Sequence, residues 1–302
     1  MKSNFDINIS ENFNRHTMPK ILDLLLVDRT KSTNKTNKNI IWGNDNYIHF
    51  GADKYSAHNQ IKSELLTGYM KDLIVPRSMK NKQLKRDRTK KNAEVFTPTW
   101  VVKKQNDLID QEYKNDNLLT YTQRTWLEVT CGEAPYMTTR YDMETGEPII
   151  LYERVGFLDR KLQRINLSIS DKVEWHDLVV IAYKSSYGFE WNGDSLLLAR
   201  ENLIYTYQEY YIDKWKSLPP LIDLREIANI VSYNVFQMDG LTYTIPLSSI
   251  KEKHVETQLS LNLFGEEKQL DNIESAVTRP GKRVKIMDWE KEKMVYFDER
   301  IK

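Results

Sequence analysis

Residues at the ends of three predicted strands have the chemistry to hold a nucleoside. The first strand ends at Cys131-Gly132, where glycine permits a tight turn and a close backbone approach to a ligand. The second ends at Glu190, and a carboxylate in that place can accept hydrogen bonds from the two hydroxyls of a ribose. The third ends at Asp239, whose carboxylate can accept a hydrogen bond from the exocyclic amine of adenine. Each feature alone also fits an ordinary turn or cap, but their order and spacing together predict a nucleoside pocket.

The elements that must position these residues alternate along the chain. Short apolar runs bounded by turn residues predict strands, and apolar residues three or four positions apart predict amphipathic helices. The predicted strands cover 126–130, 186–191 and 233–239, and the predicted helices cover 153–167, 171–184, 195–215 and 221–231. Asp194 or Ser195 is the expected cap of the third helix. The alternation predicts an α/β fold with a doubly wound, mostly parallel sheet, which binds ligands at the carboxyl ends of its strands.

A turn followed by a helix precedes these elements, at residues 94–110. Thr97 is the expected N-cap and Pro98 the expected first helical residue. Phe96 could then pack on a bound nucleobase or on a sulfonium group. The same residues also suit a hydrophobic staple beside a capped helix, so this pattern leaves both interpretations open.

Composition limits the classes of function. The chain has 302 residues, of which 40% are hydrophobic, and Cys131 is its one cysteine. A single cysteine excludes an internal disulfide framework and a cysteine-rich zinc site. The five histidines show no paired spacing for zinc, so we expect no metal. Because the sequence shows neither a signal peptide nor an apolar stretch of about 20 residues, we expect a cytoplasmic protein with no membrane contact.

The net charge of +1 hides a basic run at 77–92. This run holds eight Lys or Arg and one Asp, a net charge of +7, so the rest of the chain carries −6. Such a local field favours an anionic partner, and nucleic acid is the commonest partner of this kind. The candidate phosphate-contacting residues are Lys80, Lys82, Lys85, Arg86, Arg88, Lys90 and Lys91. The alternative is a solvated linker whose lysines contact nothing.

Four motifs follow one another between residues 93 and 246: EVFTP, a strand ending in CysGly, YGFEWNGDSLLLARENL, and a strand ending in MetAspGly. With these motifs the chain resembles the amino-terminal half of the N6-adenine DNA methyltransferases of restriction–modification systems. A narrower resemblance, to the stand-alone proteins called restriction endonuclease subunit M, is carried by the segments LLLVDRT, NIIW, TKKNAEVFTPTWV, WLEVTCGEAPYMTTRYD, ERVGFLDRKL and QMDGL. The resemblance implies a Rossmann-like methyltransferase core, S-adenosyl-L-methionine as cofactor and double-stranded DNA as partner.

The same resemblance implies which residues contact this methyl donor. They are Phe96, Thr97 and Pro98, which close over the donor; Cys131, Gly132 and Glu133, in the loop under its methionine part; Glu190, at its ribose; and Asp239, at its adenine.

Two departures from the family pattern bear on activity. Ala134 and Pro135 stand in the glycine loop where the family usually has flexible residues with backbone N–H donors, and proline has no N–H. The Asn/Asp-Pro-Pro-Tyr/Phe tetrapeptide that holds a flipped adenine is absent, because the one Pro-Pro pair lies in LPPL at 218–221. Only 284–289 and 294–297 remain as candidates for the strand that would precede that tetrapeptide.

We therefore expect an N-terminal extension at 1–92, a methyltransferase-like core at 93–246 and a C-terminal extension at 247–302. The expected function is a donor- and DNA-binding subunit whose partner subunit supplies the catalytic motif. A non-catalytic nucleoside- and DNA-binding module descended from such enzymes is the alternative. A nuclease is disfavoured, because its candidate acids and lysines belong to a charged, solvated tail. These residues are Glu266, Lys268, Asp288, Glu290 and Lys293.

The segment Gln258–Phe264, with the sequence QLSLNLF, resembles short peptides that bind the bacterial replication sliding clamp. Extended peptides with alternating anchors can dock into pockets of that kind. The same alternation fits a half-buried strand, which is the interpretation that we favour.

Overall fold

The computed structural model describes residues 15, 18–80, 97–256, 259–261, 267–269 and 273–300, with the backbone alone between 250 and 278. Within these ranges the α-helices are α1 (Pro19–Leu26), α2 (Ala52–Tyr55), α3 (Thr99–Glu112), α4 (Leu118–Gln123), α5 (Phe157–Ser168), α6 (Lys172–Lys184), α7 (Gly193–Trp215), α8 (Leu221–Asn234) and α9 (Phe297–Arg300). The strands are β1 (Trp126–Glu128), β2 (Ser186–Glu190), β3 (Val235–Gln237), β4 (Ile250–Glu256), β5 (Leu259–Leu261), β6 (Glu267–Gln269), β7 (Ile273–Arg279), β8 (Lys285–Asp288) and β9 (Lys293–Tyr296).

Strands β1, β2 and β3 form a parallel sheet in that spatial order. Trp126 stands opposite Ser186, and Glu190 stands opposite Gln237. Helices α5 and α6 connect β1 to β2, and α7 and α8 connect β2 to β3. The prediction of a mixed α/β fold with parallel strands is therefore confirmed. Each strand is shorter than its predicted run: residues 129–130 form a turn after β1, and residues 233–234 are the last two residues of α8.

The other strands pair among themselves in antiparallel fashion. Strand β4 pairs with β7, β5 with β6, and β8 with β9. The last pair contains most of the two segments, 284–289 and 294–297, that were the candidates for a further strand. They form a separate two-stranded ribbon and do not extend the parallel sheet.

Two predicted helix caps are wrong. Asn192 is the N-cap of α7, and Asp194 is turned inward because its carboxylate accepts a hydrogen bond from the Tyr47 hydroxyl at 2.9 Å. Helix α3 has Pro98 as its N-cap, so the prediction of Thr97 as the cap is one residue too early.

One apolar core contains side chains from both the N-terminal extension and the predicted methyltransferase-like core. Leu25 and Trp42 belong to the same buried cluster as Leu203 of α7. The fully buried Arg200 guanidinium reinforces this contact by donating hydrogen bonds to the carbonyls of Leu25 and Val235. The described part of the extension is therefore folded onto the α/β region.

A second apolar cluster covers the other face of β2 and β3. It joins Phe189 and Phe236 of the sheet to Val284, Ile286 and Phe297 near the C-terminus. The rings of Phe189 and Phe297 are 5.9 Å apart between centroids, in an edge-to-face arrangement. The ribbon β8–β9 and helix α9 thus form the layer on this side of the sheet.

The segment 40–44 of the extension contacts the carboxyl ends of β2 and β3. The Gln237 amide accepts a hydrogen bond from the Ile41 N–H at 2.9 Å and donates one to the Ile41 carbonyl at 2.8 Å. The Gly193 N–H donates to the Trp42 carbonyl at 2.9 Å. A Cβ on Gly193 would lie 2.0 Å from the Ile41 oxygen, so glycine is required for this close approach.

Candidate ligand-binding cleft

A cleft of about 440 Å³ lies beside β1 and the turn that follows it. This volume is within the range of small-molecule sites. Thr97, Asn106 and Ile109 line one side, residues 126–132 line another, and Tyr136 is among the residues that complete the wall. Three predicted donor-contacting residues, Thr97 and the two residues of the CysGly turn, therefore lie together in this cleft.

The turn after β1 is held in a strained left-handed form. Thr130, Gly132 and Ala134 all have positive φ, at 50°, 55° and 65°, a region that costs a residue with a Cβ about 1–2 kcal/mol. The Cys131 N–H donates to the Phe189 carbonyl at 2.8 Å, and the Ala134 N–H donates to the Cys131 carbonyl at 2.7 Å. The first bond ties the turn to β2, the second closes the turn itself, and both offset its strain.

Glu190 joins the turn after β1 to the turn after β2. Its Oε2 accepts a hydrogen bond from the Gly132 N–H at 3.0 Å, and its Oε1 accepts from the N–H groups of Trp191 and Asn192 at 2.9 and 3.0 Å. Burial raises the pKa of the Glu190 carboxyl above its usual value, although the backbone donors act in the opposite direction. The structure therefore brings the predicted ribose acid against the predicted glycine turn.

Asp239 lies in a local turn after β3. Its Oδ1 accepts from the Leu241 N–H at 2.9 Å, and its Oδ2 accepts from the Thr242 hydroxyl at 2.7 Å. Asp239 does not line the cleft. Glu190 is likewise absent from the cleft lining, so of the three predicted features only the CysGly turn lines the cleft itself.

The other two described residues predicted to contact the donor, Glu133 and Pro98, do not line the cleft. The buried Glu133 carboxylate accepts from the Arg77 N–H at 2.7 Å and from the Tyr141 hydroxyl at 2.8 Å, away from the residues that line the cleft. Pro98 caps α3, and Phe96 lies outside the described residues.

Sequence reasoning missed Glu128, an acid in the middle of the apolar run of β1. Glu128 lines the cleft, and its carboxylate accepts from the N–H groups of Tyr136 and Met137 at 3.1 and 2.9 Å. Burial raises the pKa of this carboxyl to about 8. The signal in the sequence that could have identified Glu128 was an acidic residue within an otherwise apolar run. Burial also raises the pKa of the Cys131 thiol, which makes that thiol a poor nucleophile.

The predicted DNA contacts lie mostly beyond the described ranges. Lys80 is described and is buried, with 8% of its surface exposed. The other candidates, Lys82, Lys85, Arg86, Arg88, Lys90 and Lys91, lie outside the described residues. Of the segment that resembles a clamp-binding peptide, only 259–261 is described, as strand β5 paired with β6.

The C-terminal acids do not gather into a metal site in the described chain. Asp288 is buried and pairs with Arg300 at 2.9 Å and with Lys291 at 3.6 Å. Among the residues that the structure describes, no group of three or more His, Cys, Asp or Glu is placed to hold a metal ion. No helix in the described part of the chain combines the length and apolar composition needed to cross a bilayer.

No protein-family model matches this chain, and neither does any curated protein or solved structure.

Proposed function

We propose that this chain binds S-adenosyl-L-methionine in the cleft, as the donor-binding subunit of an adenine-specific DNA methylation system. One observation carries the proposal: the Gly132 N–H donates to Glu190 Oε2 at 3.0 Å, which joins a glycine turn and a strand-end acid beside a cleft of ligand size. The parallel order β1-β2-β3 with helical crossovers supports a Rossmann-like, doubly wound core, of which these strands are one half.

The acid in the cleft, Glu128, and the acid beside it, Glu190, have chemistry that suits the donor. A carboxylate oxygen can accept two hydrogen bonds, and Glu190 Oε2 accepts one from Gly132, so it retains capacity for a ribose hydroxyl. Glu128, with its pKa of about 8, can release its proton to pair with the ammonium of the methionine part. When bound, the donor would supply an electrophilic methyl group, and the residues of this chain hold and orient it.

We expect this chain to make fewer polar contacts to the adenine end of the donor than to its ribose. The Asp239 carboxylate is occupied by Leu241 and Thr242 of its own turn. In the loop expected under the methionine part, Pro135 also lines the cleft and has no backbone N–H to offer. We therefore expect Glu190 and Glu128 to contribute most of the polar contacts to the donor.

A partner subunit completes the proposed reaction. An adenine must leave the base stack before its N6 can reach the methyl group, and it must then be held by hydrogen bonds and stacking. The chain has no Asn/Asp-Pro-Pro-Tyr/Phe tetrapeptide for that role. The partner would supply it, while the basic run at 77–92 would add phosphate contacts.

Isothermal titration calorimetry with S-adenosyl-L-methionine and its demethylated product tests donor binding. We expect saturable binding by the purified chain and loss of binding in Glu190→Ala. The matched control is Glu226→Ala, which removes an acid with 47% of its side chain exposed on α8 and should leave binding unchanged. Circular dichroism verifies that each variant is folded, and Glu128→Gln provides a milder second variant that should weaken binding. An absence of heat at millimolar ligand with folded wild-type chain would contradict the proposal.

A non-catalytic nucleoside- and DNA-binding module is the second candidate, and the occupied Asp239 carboxylate favours it. Transfer of a labelled methyl group to adenine in duplex DNA separates the two. The assay compares the chain alone with the chain plus the product of a neighbouring gene that encodes an Asn-Pro-Pro-Tyr motif. Label in DNA only from the mixture supports the subunit, whereas donor binding without transfer in both supports the module.

A further inference from the structure

The cleft beside β1 contains a buried acid that no basic side chain of the described residues neutralises. Glu128 is 6% exposed, and its two carboxylate oxygens accept hydrogen bonds from the N–H groups of Tyr136 and Met137. No Lys, Arg or His among the described residues lines the cleft. A cation stabilises the ionised form of a nearby carboxyl. The cleft therefore favours a ligand that brings its own positive charge.

A second buried acid lies close to the first. Glu190 is 7% exposed and stands beside the cleft, where its Oε2 accepts a hydrogen bond from the Gly132 N–H. The pKa of the Glu128 carboxyl is raised mainly by burial and in addition by repulsion from Glu190, so the two carboxyl groups are near enough to interact. A cation placed between two interacting acids is attracted by both.

The Tyr136 side chain forms part of the cleft wall between the turn after β1 and helix α3. It is half-buried, it lines the cleft, and its hydroxyl donates to the side-chain carbonyl of Gln105 in α3. The Tyr136 N–H is bonded to Glu128, so this residue adjoins the acid. An aromatic ring within about 6 Å of a cation attracts it, and the attraction grows where water is excluded. The acid and the ring thus favour the same kind of ligand group.

The methyl donor and its demethylated product differ in charge at one atom. The donor carries a sulfonium cation, whereas the product has a neutral thioether sulfur and the same ammonium, carboxylate, ribose and adenine groups. In both ligands the sulfur is covalently bonded to the ribose part and to the methionine part. With the ammonium at Glu128 and the ribose at Glu190, the sulfur lies between the two acids.

We propose that Tyr136, together with Glu128 and Glu190, makes the cleft selective for the cationic donor over its neutral demethylated product. This inference rests on the proposed function, because it assigns the specificity of the same site. Its consequence is that fresh donor displaces the product after each methyl transfer, so the product inhibits the subunit only weakly. Tyr136 is the specificity-determining residue, because its ring lies beside the charge that distinguishes the two ligands.

Isothermal titration calorimetry with three ligands tests the proposal. They are S-adenosyl-L-methionine, its demethylated product, and the analogue sinefungin, in which an amine-bearing carbon replaces the methylated sulfur. The analogue keeps a positive charge at this place but lacks the sulfur and its methyl group. For the wild-type chain we expect the donor and the analogue to bind at least about tenfold more tightly than the product.

Substitutions at Tyr136 separate a role of the ring in selectivity from a role in folding. In Tyr136→Leu the preference for the donor over the product should fall at least about threefold, because an aliphatic side chain cannot attract the cation. Tyr136→Phe keeps the ring and should retain the preference. Tyr69→Leu is the control, because the Tyr69 side chain is fully exposed and its loss should leave all three affinities unchanged. A general loss of folded protein would not change a ratio between two ligands of nearly the same shape.

Four results would overturn the proposal. Equal affinities of the wild-type chain for donor and product would remove the selectivity and leave donor binding as proposed. An analogue that binds as weakly as the product, beside a tightly bound donor, would assign the preference to the methyl group instead of the charge. An unchanged preference in Tyr136→Leu would exclude Tyr136 as its source. If the folded chain bound none of the three ligands, both this inference and the proposed function would fail.

Discussion

The two outer strands of the three-stranded sheet, β3 and β1, differ in how far the rest of the chain covers them. At β3, the Gln237 amide satisfies both polar groups of the Ile41 backbone, and Phe236 lies under the C-terminal layer. At β1, the corresponding face presents Leu127 and Val129 to solvent. The chain thus covers the β3 side of the sheet with its own distant segments and leaves the β1 side exposed.

This difference suggests that the β3 side of the sheet stabilises the fold, whereas the β1 side is available to bind a ligand or a partner. Polar groups that are buried must find partners, because an unsatisfied one costs about 1–3 kcal/mol. The contacts around β3 are therefore required for folding. The side chains of Leu127 and Val129 beside β1 are exposed in the free chain. Burying them under a ligand or a partner would therefore contribute to the free energy of binding.

The largest expected effect is at Gly193, on the closed side. In Gly193→Ala the new Cβ would lie 2.0 Å from the Ile41 carbonyl oxygen, and neither backbone can yield easily. We expect a loss of about 3 kcal/mol or more in the free energy of unfolding, measured with urea. Gly68→Ala is the control: it has open space but a φ of +63°, so only about 1 kcal/mol of strain is expected. Equal losses in the two variants would mean that the contact with Ile41 is unimportant.

The next effect is at Gln237, which links β3 to the extension. Gln237→Leu removes the partners of the Ile41 N–H and C=O and leaves both buried. We expect a loss of about 2–4 kcal/mol in the free energy of unfolding and faster amide exchange at Ile41. A variant that loses less than about 0.5 kcal/mol would show that this contact does not hold the extension against β3.

On the β1 side, Glu128 should make stability depend on pH. Its pKa is raised from 4.5 to about 8 in the folded chain, so the folded state holds a proton that the unfolded state has lost. The stabilisation is complete below pH 4.5 and is lost as the pH rises through 8. Between these values the wild type should lose stability relative to Glu128→Gln by up to about 1.4 kcal/mol per pH unit. Parallel curves of unfolding free energy against pH for the two proteins would contradict this assignment.

A pair of identical substitutions gives the most direct contrast between the edges. Val235→Thr places a hydroxyl in the closed core, where the side chain is fully buried, and should cost about 1–3 kcal/mol. Val129→Thr changes a residue that is 62% exposed and should change the free energy of unfolding by less than about 0.5 kcal/mol. Thermal or urea unfolding of both variants measures the difference. Similar losses would show that the β1 edge is as buried as the β3 edge.

Much of the fold was predictable because its signals are local. The run 186–191 predicted β2, which the structure places at Ser186–Glu190, and the amphipathic pattern at 221–231 predicted α8. The cap of α7 was not predictable from sequence, because Asp194 suits a cap by type and is instead bonded to Tyr47, 147 residues earlier. Local preference gave way there to a tertiary contact.

The candidate site was predictable only in part. Gly132 and Glu190 were singled out, and the structure joins them by a hydrogen bond. Glu128 was missed because its significance depends on the chain folding back so that Tyr136 and Met137 donate to it. The direction of a side chain at a strand end follows from the backbone angles of the next turn, which sequence patterns do not specify.

By itself, the sequence determined the type and order of the elements around the cleft, the glycine turn, the acid after β2 and the absence of a base-holding tetrapeptide. Only the tertiary structure decided that Glu133 faces Arg77, that Ile41 binds the Gln237 side chain at the end of β3, and that the face of β1 at Leu127 is exposed. Periodicity records which face of an element is apolar. Which neighbour covers that face depends on contacts such as Ile41 with Gln237, 196 residues apart, which no local pattern encodes.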